Sequence, residues 1–114
     1  MRVYVAGPYT ADPAACTARA IAAGDELLEA GHEPFVPHLA HYWHHLHAEH
    51  DYEAWMRLDL AWVAVAEALV RLPGESSGAD REVALAEQLG IPVFASVEGF
   101  LLKQKLAQER PGRE

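Results

Sequence analysis

Residues 69–83 read LVRLPGESSGADREV, and this stretch decides the fold of the chain. A short apolar run over residues 68–72 breaks at Pro73 and Gly74, and residues typical of a helix follow over 79–89. The pattern predicts a buried strand, a turn of small residues and then a helix. In an α/β protein a ligand binds at such a place, where the carboxyl end of a strand meets the first turn of the next helix.

The rest of the chain repeats this alternation of strand and helix. Further strands are predicted at 3–6, 32–37 and 91–95, helices at 12–30, 52–66 and 99–108, and a frayed tail at 110–114. We therefore predict an α/β fold, a three-layer Rossmann-like (flavodoxin-type) open parallel sheet of four or five strands with helices on both faces. The length of 114 residues suits a single domain over 1–114.

The composition excludes several classes of protein. The chain carries 17 acidic residues against 9 lysines and arginines, so a partner of duplex nucleic acid is disfavoured. Its single cysteine, Cys16, cannot form an internal disulfide. No apolar run approaches the roughly 20 residues of a membrane span, and the amino terminus opens directly into a strand without a leader pattern. We expect a cytoplasmic protein with neither a membrane nor a nucleic-acid partner.

Glu82 is the candidate reacting group. It lies one turn into the helix that follows Ser76, Ser77 and Gly78, so its carboxylate can reach back over that turn. The serine hydroxyls and the free N–H groups of the helix start suit an anionic or polyhydroxylated ligand. An exposed glutamate, favoured there by the helix dipole, is the ordinary alternative.

Asp59 is the second candidate, because it shares a helix face with Trp55, Met56 and Val63. Two carboxyl groups in unequal environments can divide the roles of nucleophile and acid. A salt bridge from Asp59 to Arg57 or Arg71 is the structural alternative that the sequence leaves open.

The first strand ends at a second candidate ligand loop. Gly7 lets a backbone approach a ligand closely, Pro8 fixes the turn, and Tyr9 can stack on a base or hydrogen-bond a sugar. Tyr4 lies within the strand, where core packing is the commoner role.

Six histidines, at 38, 41, 44, 45, 47 and 50, mark an unusual segment over residues 38–50. A zinc site needs three or four ligands of defined geometry, and the chain has neither an HExxH motif nor paired cysteines. We expect a loop with some helix that acts as a lid or an interface, and no metal. A metal-dependent hydrolase built on these histidines is the alternative.

Several of these motifs together resemble the nucleoside 2-deoxyribosyltransferase superfamily, which includes the deoxyribonucleoside 5′-monophosphate N-glycosidases. The resemblance rests on YVAGP at 4–8, Asp59 in its helix, SSGADRE at 76–82 and GIPV at 90–93. It covers most of the chain, from Tyr4 to about Phe94.

The resemblance implies cleavage of an N-glycosidic bond without a cofactor. Glu82 would attack the anomeric carbon, Asp59 would orient the sugar and protonate the departing base, and Ser76, with Gly78 beside it, would hold a phosphate. The family's first-strand tyrosine falls near Tyr4 and its glycine loop falls on Gly7. Members of the family form dimers or larger homo-oligomers in which a neighbouring chain completes the active site, and the segment 38–50 could take part in that.

The chain also departs from the family. The monophosphate glycosidases carry an arginine in the loop after the first strand, whereas residues 8–12 here read PYTAD. The expected reaction is cleavage or base exchange, on either a (deoxy)nucleoside or its 5′-monophosphate. A module that binds a nucleotide or a nucleotide-sugar without cleaving it is the alternative.

Overall fold

The computed structural model describes residues 1–109, and its centre is a four-stranded parallel sheet. The strands are β1 (Arg2–Ala6), β2 (Glu33–Phe35), β3 (Ala68–Arg71) and β4 (Val93–Phe94), in the spatial order β2-β1-β3-β4. Tyr4 pairs with Phe35 on one side and with Leu69 on the other. The predicted open parallel sheet is confirmed, whereas the predicted tail at 110–114 lies outside the described residues.

Helices cover both faces of the sheet, as predicted. They are α1 (Pro13–Glu29), α2 (Ala40–Leu46), α3 (Tyr52–Val63), α4 (Ser77–Gln88) and α5 (Val97–Gln108), and a 3-10 turn (Pro37–Leu39) precedes α2. The alternation of side chains along a strand separates two cores. Val3, Val5 and Val70 pack with α1 and α5 on one face, and Tyr4, Ala6 and Leu69 pack with α3 and α4 on the other.

Two helices begin earlier than the sequence pattern predicted. α4 begins at Ser77 and not at residue 79, and α5 begins at Val97 and not at residue 99. In both cases a serine caps the helix: Ser76 Oγ accepts from the N–H of Ala79, and Ser96 Oγ accepts from the N–H of Gly99. Since the cap satisfies free donors of the first turn, it fixes the helix start before the apolar pattern becomes visible.

The strand order places a crevice between β1 and β3. The chain leaves β1 toward β2 on one side and returns through β3 on the other, so the loops after these two strands diverge. Ligands of open α/β sheets bind at this kind of switch point. No helix within residues 1–109 is long and apolar enough to cross a membrane.

Candidate active site

A cavity of about 310 Å³ lies at the carboxyl ends of β1 and β3. This volume falls within the ordinary range of small-molecule sites. The structure brings most of the predicted site residues together in its lining: Gly7, Tyr9, Asp59, Ser76, Ser77, Gly78 and Glu82. The loops after three strands and the first turns of two helices therefore converge on one space.

Tyr4 and Pro8, which were also predicted as substrate-binding residues, lie next to this cavity's lining residues and not among them. Tyr4 is fully buried and stacks on Phe35 at a centroid distance of 5.7 Å, while its hydroxyl donates a 2.7 Å hydrogen bond to Glu82 Oε2. The carbonyl of Pro8 accepts a hydrogen bond from His38 Nε2 at 3.0 Å. Both residues hold groups that do line the cavity.

Glu82 belongs to the buried face of α4 and is only 4% exposed. Ala79 and Ala86, three residues before it and four residues after it, pack against the sheet, so helical periodicity turns Glu82 inward. The alternative of an exposed first-turn glutamate is therefore wrong. Asp59 lies on α3 within hydrogen-bonding reach of the Glu82 carboxyl, and the two carboxyl groups can share a proton.

The alternative of an ion pair between Asp59 and Arg57 or Arg71 is not realised within residues 1–109. Arg71 instead lies 3.1 Å from Asp80, and it also donates to the carbonyl of Leu72. Asp80 is exposed, as a first-turn carboxylate is expected to be. The carboxyl of Asp59 thus faces another carboxyl and has no cation beside it.

The electrostatics of the pair follow from this burial. Loss of hydration raises the pKa of Glu82 to about 8; the hydrogen bond from Tyr4 opposes that rise and the nearby Asp59 adds to it. Burial raises the pKa of Asp59 to about 6, and the hydrogen bond with Glu82 opposes that rise. Near neutral pH the pair therefore retains a proton, which the two carboxyl groups can share.

Two glycines of the lining differ in how much space surrounds them. A Cβ at Gly7 would lie only 3.0 Å from Leu72 Cβ, so the loop after β1 has no room for a side chain there. A Cβ at Gly78 would lie 3.4 Å from Met56 Sδ and from Tyr52 Oη. Gly78 therefore leaves open the space between the first turns of α3 and α4.

Most of the remaining lining comes from residues 37–50 and from α3. The histidine segment covers one side of the cavity, where the Tyr9 hydroxyl and His41 Nδ1 lie 2.7 Å apart. His38 is buried against the loop after β1, and burial lowers the pKa of its imidazole. Within residues 1–109 no three His, Cys, Asp or Glu side chains are grouped as metal ligands.

Tyr52 and Trp55 also line the cavity, and the sequence reasoning did not single them out as ligand contacts. The spacing of these two residues from Asp59 could have identified them. They lie seven and four residues before Asp59, so a helical reading places all three on one face. Once Asp59 is taken as a site residue, that periodicity predicts the two aromatic neighbours.

Comparison with known proteins agrees with the fold. A family model described as "Domain of unknown function (DUF4406)" matches residues 1–95. A solved structure of a 2-deoxyribosyltransferase from Bacillus psychrosaccharolyticus superposes with a TM-score of 0.61 and 20% sequence identity, over 82% of this chain and 69% of that chain. The comparison with curated proteins gives no match.

Proposed function

Because the chain belongs to the DUF4406 family, whose description assigns no activity, we propose its function from the site itself. We propose that the protein cleaves the N-glycosidic bond of a (deoxy)nucleoside, with Glu82 as the nucleophile and Asp59 as the acid. The bond would be cleaved by transfer to a second base or by hydrolysis. No cofactor is needed, since a carboxylate and an acid suffice for an oxocarbenium-like transition state.

One observation carries the proposal: the buried carboxyl of Glu82 and the half-buried carboxyl of Asp59 line the same cavity of ligand size. Burying two carboxyl groups side by side costs free energy, because each disfavours the ionised form of the other. Arrangements of this kind with strongly shifted pKa values cluster at functional sites. The fold shared with a 2-deoxyribosyltransferase, together with the motifs described above, supports glycosyl chemistry as the use of this pair.

In the proposed first step, the proton on Glu82 passes to Asp59 within their hydrogen bond. The Glu82 carboxylate then attacks C1′ and forms a glycosyl ester, while the bond from C1′ to the base nitrogen breaks and its electron pair leaves with the base. Asp59 gives its proton to that nitrogen. Tyr4 favours the attacking form, because its hydroxyl hydrogen bond stabilises the ionised Glu82 carboxylate.

The second step reverses the roles. Water or a second base attacks C1′, the ester bond breaks, and the electron pair returns to the Glu82 carboxylate. Asp59, now ionised, takes the proton that the attacking water or base loses. The acceptor decides between hydrolysis and base exchange, so both outcomes belong to one mechanism.

The test is base release from 2′-deoxynucleosides, followed by chromatography with and without an added second base. We expect Glu82→Ala to lower turnover by at least about 10³-fold, because the covalent step loses its nucleophile. Glu87→Gln is the matched control, since Glu87 is exposed on the same helix. Turnover in Glu82→Ala equal to that of Glu87→Gln would remove Glu82 from the mechanism.

The charge of the lining favours a substrate without a 5′-phosphate. No lysine or arginine contributes to the cavity wall among residues 1–109, and Arg71 and Arg81 are paired with Asp80 and Glu53. A 5′-monophosphate remains the second candidate, because Ser76, Ser77 and the start of α4 offer donors to an anion. Parallel assays with a nucleoside and its monophosphate separate the two, and we expect the nucleoside to give the higher kcat/KM.

Two further points complete the proposal. We expect binding and turnover together; ligand-induced thermal stabilisation with no free base would favour the binding-module alternative.

We also propose a homo-oligomer, supported by the large exposed side chains Tyr42, Trp43 and Leu46 on α2 and Trp62 on α3. Light scattering of the protein and of Leu46→Ser tests the second point: a monomer in both samples would contradict it.

A further inference from the structure

Two further chemical sets of groups line the cavity beside the carboxyl groups of Asp59 and Glu82. Aromatic rings from the β1 loop and the histidine segment form one set, in which Tyr9 lies edge-on to both His38 and His41. Hydroxyl and amide groups from the first turns of α3 and α4 form the other set, which contains Ser76, Ser77 and Tyr52. A nucleoside has the same division, because its base is flat and its sugar carries hydroxyls.

Tyr52 belongs to the hydroxyl set through the position of its Oη atom. A Cβ placed on Gly78 would lie 3.4 Å from this oxygen, so the Tyr52 hydroxyl lies against the first turn of α4. Its residue lines the cavity together with Ser76, Ser77 and Gly78. The hydroxyl can both donate and accept, and it is therefore suited to a sugar oxygen.

Arg81 and Glu53 hold the Tyr52 ring in this position. The guanidinium of Arg81 lies 5.7 Å from the centroid of the Tyr52 ring, and it donates to both oxygens of Glu53 at 2.9 and 3.2 Å. Glu53 is the next residue after Tyr52 on α3, and Arg81 directly precedes Glu82 on α4. This two-bonded pair joins the two first turns and restricts the rotamers open to Tyr52.

We propose that the Tyr52 hydroxyl hydrogen-bonds the 5′-oxygen of the nucleoside sugar and thereby sets a preference for substrates with a free 5′-hydroxyl. The inference rests on the proposed function. With C1′ at Glu82 and the base among the rings, the hydroxymethyl group extends toward the first turns of α3 and α4. Arg81 and Glu53 are positioning residues, since they act through Tyr52.

The experiment measures two substrates with two forms of the protein. kcat/KM is measured for a 2′-deoxynucleoside and for the 2′,5′-dideoxynucleoside of the same base, in the unmodified protein and in Tyr52→Phe. We expect the unmodified protein to prefer the 5′-hydroxyl about five-fold, as for one hydrogen bond between neutral groups, and Tyr52→Phe to lose the preference. Tyr42→Phe, an exposed tyrosine of α2, is the control that keeps it.

Arg81→Met provides a second variant that leaves the Tyr52 hydroxyl in the chain. We expect it to reduce the preference for the 5′-hydroxyl partially, mainly through KM, because the ring loses its support. A loss of folding alone would lower the rates for both substrates equally and would leave their ratio unchanged.

The outcomes separate this inference from the proposed function. Base release with the same 5′-hydroxyl preference in the unmodified protein and in Tyr52→Phe would overturn the role of Tyr52 and leave the role of Glu82 intact. Isothermal titration of the same ligand pair gives the ratio for binding alone. Absence of both binding and base release in the unmodified protein would overturn the proposed function and this inference together.

Discussion

The two sides of the cavity are built in different ways. The side formed by β1 and α4 is dry: Tyr4 is fully buried, Glu82 is 4% exposed, and a hydrogen bond connects them across 78 positions of sequence. The side formed by residues 37–50 is open, and Leu46 there is 82% exposed. Groups that change their charge thus lie where water is excluded, whereas groups suited to stacking lie where the surface can rearrange.

We expect the stability of the folded protein to depend strongly on pH, because of the carboxyl groups on the dry side of the cavity. The folded-state pKa values of Glu82 and Asp59, about 8 and about 6, exceed their ordinary values of 4.5 and 3.8. The folded protein therefore binds protons more tightly than the unfolded chain does. The resulting stability is fully present below about pH 4 and is lost as the pH rises to about 8, with a total on the order of a few kcal/mol.

Thermal unfolding between pH 5 and pH 9 checks this prediction. Glu82→Gln imitates the protonated carboxyl, so we expect its melting temperature to fall much less with pH than that of the unmodified protein. Glu87→Gln, an exposed position on the same helix, is expected to keep the original slope. Parallel curves for all three proteins would contradict the buried pair as the source.

Removing the tyrosine hydroxyl on the dry side is expected to have the next largest effect. In Tyr4→Phe the Glu82 carboxylate loses the hydrogen bond that stabilises its charged form, so its pKa rises further. Since attack requires Glu82 ionised while Asp59 holds the shared proton, we expect kcat to fall about 10- to 100-fold and the descending limb of the pH–rate profile, where the pair loses that proton, to move to higher pH. A lower kcat with an unshifted pH profile would contradict this account.

The dry side also shows which parts of the molecule a sequence can predict. The alternation of strands and helices follows from local patterns, and the structure confirms the parallel sheet that it implies. Asp59 could be selected as a candidate because its residue type conflicts with the apolar face on which it lies, and Glu82 because it follows a serine turn between a strand and a helix.

The contacts between distant segments could not be predicted in the same way. The hydrogen bond from Tyr4 to Glu82 depends on the register of β1 beside β3 and on how α4 packs over them. The histidine segment was also hard to predict: the spacings of His41, His44 and His45 allow one helical face, but they do not show which part of the fold that face covers. The pairing of Arg81 with Glu53 likewise follows from the approach of α3 to α4, which no short-range pattern encodes.

At Gly78 a substitution is expected to change stability and activity in opposite directions. Gly78→Ala adds a methyl group at ordinary contact distance from Met56 and Tyr52, within a helix. We expect a gain in stability of about 0.5 kcal/mol from the better helix former, but a loss of about ten-fold in kcat/KM because the methyl group occupies cavity space. Gly99→Ala, at the start of α5 and outside the cavity lining, is the control that should leave activity unchanged. Equal activity in the two variants would indicate that this end of the cavity does not receive the substrate.

The smallest expected effect is that of a substitution on the open side. It tests whether the two sides of the cavity have different roles. Tyr9→Phe removes the hydroxyl that lies 2.7 Å from His41 Nδ1 but keeps the ring that faces the cavity. Because this bond is only partly buried, we expect about a threefold rise in KM, an unchanged kcat and a stability change within about 0.5 kcal/mol. Steady-state kinetics beside Tyr4→Phe measures the contrast directly. If Tyr9→Phe lowered kcat as much as Tyr4→Phe does, the histidine segment would have to take part in the chemical step, and the division between a dry reacting side and an open binding side would be wrong.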